Sequence, residues 1–76
     1  MVEIRSGRRK FEIGESDIIM WNEILYQLLT QKEHDDTYPV LKESEVREYI
    51  NNGELKFVKH HISEFTKVPC TYYKLS

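Results

Sequence analysis

From Val2 to Ile13 apolar and polar side chains alternate on either side of a single glycine, and no other stretch constrains the fold so tightly. A two-residue turn at Gly7-Arg8 pairs Ile4 with Phe11 and Val2 with Ile13, whereas a turn at Ser6-Gly7 would set Ile4 against Arg9. Only the first register gathers the apolar side chains on one face, and glycine in the first turn position suits a type II′ turn. Residues 1–13 are therefore expected to form a β-hairpin whose other face, with Glu3, Arg5, Lys10 and Glu12, is wet.

Gly14 breaks the strand, and Ser16 followed by Asp17 offers an N-cap and an acidic first turn. Ile18, Trp21, Ile24, Leu25, Leu28 and Leu29 then recur at a 3.6-residue spacing, which predicts a long amphipathic helix over 16–31. Ile19, Met20 and Tyr26 lie beside that stripe and widen its apolar surface. Residues 32–43 are acidic, contain Pro39 and read as a loop. Ser44 caps a short second helix over 44–52 that turns Val46, Tyr49 and Ile50 inward and stops at Gly53. Leu55–Ile62 and Val68–Leu75 are rich in β-branched and aromatic residues and read as a C-terminal β-hairpin within 54–75. It should carry a bulge, with Pro69 at a sheet edge or as the first residue of its strand. The expected fold is a single small α+β domain, ββααββ, with a four-stranded antiparallel or mixed sheet packed on the long helix and the short helix at its end.

A chain of 76 residues buries only about 60% of its unfolded surface, so a partner or a second copy would add usefully to its stability. With 39% hydrophobic and 32% charged residues, the sequence is too apolar for a disordered tail and too charged for a membrane segment. Cys70 stands alone and the amino terminus lacks an apolar export region, which points to a reducing, cytoplasmic setting. Alanine is absent while Ile, Lys, Glu and Tyr are plentiful, a usage associated with AT-rich coding sources such as phages and mobile elements.

Charge is unevenly distributed. Residues 1–11 hold four basic and one acidic side chain, residues 12–54 three and eleven, and residues 55–76 four and one. If the two hairpins share a sheet, the molecule has a basic and an acidic side. The first functional expectation is a non-enzymatic protein-interaction module, a cytosolic regulator, inhibitor or adaptor that binds a larger protein. Its acidic layer would steer association and its apolar anchors would supply affinity. The residues assigned to it are Met20, Glu23, Tyr26, Tyr38, Glu45, Glu48 and Tyr49, with Glu33, Asp35, Asp36 and Glu43 adding charge. The alternative is a small nucleic-acid-binding regulator with Arg5, Arg8, Arg9, Lys10, Lys56 and Lys59 on phosphates and Phe57, Tyr72 or Tyr73 available for stacking. The plain reading of either surface is solvated charge, and the tip Arg8-Arg9-Lys10 also serves as edge protection.

The stretch Val46 to Leu55 resembles the helix–glycine–strand end of excisionase and MerR-like winged-helix domains. That resemblance implies a recognition helix followed by a wing. It covers ten residues, lacks the preceding helix and tight turn of the motif, and turns Glu45, Glu48 and Glu54 toward phosphate. We read it as a helix-to-strand connection common to many folds.

Catalytic and metal chemistry find little support. Cys70 with His60 or His61 would need an orienting third group and an oxyanion site. Adjacent strand histidines point to opposite faces, so a metal would need His34 or further ligands at spacings the sequence lacks. Neither a GxxxxGK[ST] loop nor a GxGxxG stretch is present, so no nucleotide or other cofactor is expected.

Overall fold

The structure, a computed structural model, describes residues 2–31 and 37–76. Strands β1 (Val2–Ser6) and β2 (Arg9–Ile13) pair in the register that the alternation dictates, with Val2 opposite Ile13, Ile4 opposite Phe11 and Arg5 opposite Lys10. Gly7 has φ +62° while Arg8 stays outside the left-handed region, as a type II′ turn requires.

Residues 16–31 contain no helix, and here the sequence expectation is corrected. Strands β3 (Ile19–Trp21) and β4 (Tyr26–Leu28) pair antiparallel around a turn that Asn22 builds. Its side-chain Oδ1 accepts the N–H groups of Ile24 at 3.0 Å and Leu25 at 2.9 Å, and its own N–H donates to the Leu25 carbonyl at 3.3 Å. Glu23 enters the left-handed region at φ 74°. A helix and a strand pair compete for the same apolar residues here. Pairing buries Ile19, Tyr26 and Leu28 and leaves Ile24 78% exposed at the turn. Asp17 accepts the Gly14 N–H at 2.8 Å and the Thr30 hydroxyl, so it ties the start of this hairpin to its end instead of opening a helix. Partial burial opposes its ionisation, but the bonds from Thr30, Gly14 and Gln31 outweigh burial and hold its carboxyl below the usual value.

The rest of the chain supplies β5 (Val40–Leu41), α1 (Glu43–Asn51), β6 (Leu55–Ile62) and β7 (Pro69–Leu75). Five strands form one sheet in the order β5-β4-β3-β7-β6, and β1-β2 form a second sheet of two. The described residues are thus mostly sheet with one nine-residue helix, still a small α+β molecule, but not ββααββ with a long and a short helix. The long helix is missing because β7, the last strand, lies between β3 and β6, and pairs Ile19 with Tyr73 and Trp21 with Thr71. No local periodicity encodes a partner so distant in sequence. The expected loop over 32–43 gives way to β5 and the start of α1, while residues 32–36, including Glu33, His34, Asp35 and Asp36, lie outside the described residues. Lys42, not Ser44, holds the N-cap position, without a side-chain cap, and acidic Glu43 and Glu45 occupy the first turn. Gly53, at φ 81°, follows the helix as expected. The bulge falls at Val58, between the Phe57–Tyr73 and Lys59–Tyr72 pairs, and Pro69 is the first residue of an interior strand.

Register places Ile19, Trp21, Tyr26, Leu28, Leu41, Leu55, Tyr73 and Leu75 on one face of the five-stranded sheet. That face meets Val2, Ile4, Phe11 and Ile13 of the first hairpin and Val46 of α1 in a single core. Trp21 and Tyr26 stack with centroids 4.4 Å apart, and the Arg47 guanidinium covers the Trp21 ring at 5.4 Å. Burial pushes the Tyr26 phenol above its ordinary pKa, with Arg47 partly opposing. The opposite face, with Val40, Gln27, Met20, Tyr72 and Lys59, has no helix or second sheet on it among the described residues.

Candidate interaction surface

Because the two hairpins belong to different sheets, their basic residues do not merge into one side as the charge segregation suggested. Arg5 and Lys10 instead line a groove of about 470 Å³ between the first hairpin and α1, together with Glu3, Lys42, Glu45, Glu48 and Tyr49. Residues expected on two rival surfaces thus meet in one place, with both signs of charge interleaved. Several are also structural. The Arg5 N–H donates to Glu45 Oε1 at 3.2 Å, the Arg5 carbonyl accepts the Lys42 N–H at 2.8 Å, and the Tyr49 hydroxyl donates to the Glu3 carbonyl at 3.2 Å. These bonds occupy the outer edge of β1.

The remaining expected residues scatter. Met20 sits on the uncovered sheet face, Glu23 in the β3–β4 turn, Tyr38 half-buried ahead of β5, and Tyr26 in the core, 4% exposed. Arg8, Arg9 and Lys10 are exposed at the first hairpin, with Arg9 4.8 Å over the Phe11 ring. Lys56 and Lys59 are exposed on β6, with Lys59 5.1 Å over the Tyr72 ring.

The β6–β7 hairpin forms where the sequence predicts it, but its exposure is a feature the sequence did not disclose. β3 ends opposite Thr71, so the far end of the hairpin, from His61 to Cys70, projects beyond the reach of β3. Every β6 residue after Leu55 is exposed, including Phe57 at 59% and Ile62 at 55%. A structured turn closes it. Ser63 donates its N–H to the Val68 carbonyl at 3.2 Å, accepts the Lys67 N–H on its carbonyl at 2.9 Å, and takes the Thr66 N–H on Oγ at 3.3 Å. Lys67 sits at φ 59° and completes the reversal. Phe65 is held at the apex, 96% exposed. The signal available in the sequence was an aromatic residue inside a short polar connection, Ser63-Glu64-Phe65-Thr66-Lys67, where solubility alone would favour a polar side chain.

Cys70 has His61 as its cross-strand neighbour, while His60 pairs with Thr71 on the other face. Among the described residues, no three His, Cys, Asp or Glu side chains come close enough to hold a metal ion, and no helix is long and apolar enough to cross a membrane. No protein-family model matches the chain, and no curated protein or solved structure matches it, so its own residues carry the functional reading.

Proposed function

We propose that the chain is a non-enzymatic protein-interaction module and that its contact surface is the projecting β6–β7 hairpin. The observation that supports this is the group Phe57, Val58, Ile62 and Phe65, exposed together on one ordered hairpin. Scattered surface apolar residues are ordinary, but several along one exposed edge hairpin, Phe57 and Val58 on its edge strand and Ile62 and Phe65 on its projecting end, mark a contact site. Aromatic side chains bury large areas with little loss of rotamer freedom, which suits Phe57 and Phe65 as anchors. The basic residues Lys56, Lys59, Lys67 and Lys74 on the same hairpin favour an acidic partner and speed encounter with it. This reading moves the contact away from Glu45 and Tyr49, whose polar groups hold β1.

The test compares the wild-type chain with a Phe57→Ser, Ile62→Ser, Phe65→Ser variant in nuclease-treated affinity capture, after both show the same unfolding midpoint. Loss of one stoichiometric protein partner in the variant supports the proposal. Retention of that partner, or capture that disappears with nuclease in the wild type, sinks it, the latter in favour of nucleic acid.

A further inference from the structure

We propose that β6 accepts an extended, acidic segment of a partner protein as a sixth strand of the sheet. The proposal rests on the interaction-module reading and adds to it both the mode of contact and the partner's chemistry. β6 is an edge strand of eight residues, while β5, at the other edge of the same sheet, has two. The edge of β1 is already occupied by Lys42, Glu45 and Tyr49.

Which backbone groups of β6 are free follows from the bonds at the two ends of its hairpin. Ser76 donates to the Glu54 carbonyl and Ser63 to the Val68 carbonyl, so 54–76 and 63–68 are both hydrogen-bonded pairs. Antiparallel pairs alternate between bonded and non-bonded, and a bulge places two residues opposite one. With the register interrupted at Val58, the bonded positions are Lys56, Lys59 and His61, and the non-bonded ones beyond the buried Leu55 are Phe57, His60 and Ile62. The N–H and C=O groups of Phe57, His60 and Ile62 therefore point away from β7. None of the three makes a backbone bond outside the ladder among the described residues.

Charge selects the occupant. Leu55–Ile62 contains Lys56, Lys59, His60 and His61 and no acidic residue, with Glu54 and Glu64 just outside it. A second copy of β6 laid antiparallel would set this basic set against itself, which opposes self-pairing. A partner strand alternating acidic with apolar residues meets both needs: its acids face Lys56, Lys59 and His61, and its apolar side chains lie beside Phe57 and Ile62 on the other face. This is strand addition to a sheet edge, in which main-chain bonds give affinity and alternate side chains give specificity.

The experiment is selection of the full-length chain against a display library of random extended peptides. Amide hydrogen exchange is then followed by NMR on the chain with the recovered peptides bound. The expected peptides alternate Asp or Glu with apolar residues. Their binding should slow exchange at Phe57, His60 and Ile62 and leave Lys56, Lys59 and His61, already bonded, unchanged. A Lys56→Glu, Lys59→Glu variant should bind them at least tenfold more weakly and select basic peptides instead. Peptides that perturb only Phe65 and its neighbours overturn strand addition while leaving the interaction module standing. Recovery of no peptide, concentration-dependent dimerisation through β6, or tighter binding of an oligothymidylate than of any peptide overturns the inference too.

Discussion

Arg5 and Glu45 are joined across forty positions of sequence by a bond from the Arg5 backbone N–H to a Glu45 carboxylate oxygen at 3.2 Å. With Lys42 bonded to the Arg5 carbonyl and Tyr49 to the Glu3 carbonyl, Lys42 and α1 together act as the missing neighbour strand of β1. Glu45→Ala should therefore cost about 1 kcal/mol of stability, the size of one net hydrogen bond. Glu48→Ala, on the same helix but exposed, should change stability by less than about 0.5 kcal/mol. Urea unfolding of the two variants separates a structural Glu45 from one that serves only as surface charge.

The middle of the chain offers a sharp contrast between two isoleucines. Ile19 is fully buried while Ile24 lies at the turn, so Ile19→Ala should destabilise by roughly 2–5 kcal/mol and Ile24→Ala by less than about 0.5 kcal/mol. A helix over 16–31 would reverse that order, because Ile24 is central to its stripe and Ile19 beside it. Thermal or urea midpoints of the two alanine variants decide between the arrangements.

Glu23 holds a left-handed backbone conformation that disfavours any side chain with a Cβ. Glu23→Gly removes that strain but adds freedom to the unfolded chain, and the net should be a gain of about 0.5 kcal/mol. Glu23→Val should instead lose about 1 kcal/mol or more, since branching at Cβ worsens the clash. Paired unfolding curves check both signs.

Asp17 makes stability depend on acid. Its folded carboxyl titrates below the ordinary value, so the stabilisation is complete above the unfolded value of 3.8 and is lost as pH falls through the lower folded value. Thr30→Val removes the largest of the bonds that lower the pKa and should flatten the decline of stability between neutral and acid pH. The difference in unfolding free energy between wild type and variant should narrow toward low pH, down to the pH-independent loss of the Ile18 N–H bond that Thr30 Oγ1 accepts at 3.4 Å.

Legibility in the sequence followed how locally each element is determined. The first hairpin could be read to the residue because Gly7 and strict alternation leave one register. The short helix and the C-terminal strands were readable within a residue or two from Val46, Tyr49, Gly53 and the β-branched runs. The middle failed because no glycine or proline punctuates residues 15–38, and Asn22 makes the turn through its side chain. The candidate site was hidden for a related reason. Whether Ile62 is covered depends on where β3 ends against β7, and whether Phe57 is covered depends on β6 being an edge strand; both are tertiary facts.

The interior position of β7 has a consequence for how the molecule forms. The first hairpin closes locally, but the Trp21–Thr71 pairing encloses about 50 residues, so its entropic cost must be met before the sheet's central contacts form. Until residues 69–75 arrive, β3 and β4 lack their central neighbour and expose the apolar edge they later bury. During synthesis that leaves a partly assembled sheet waiting on its last strand, the stage at which the chain is most prone to pair with the wrong neighbour.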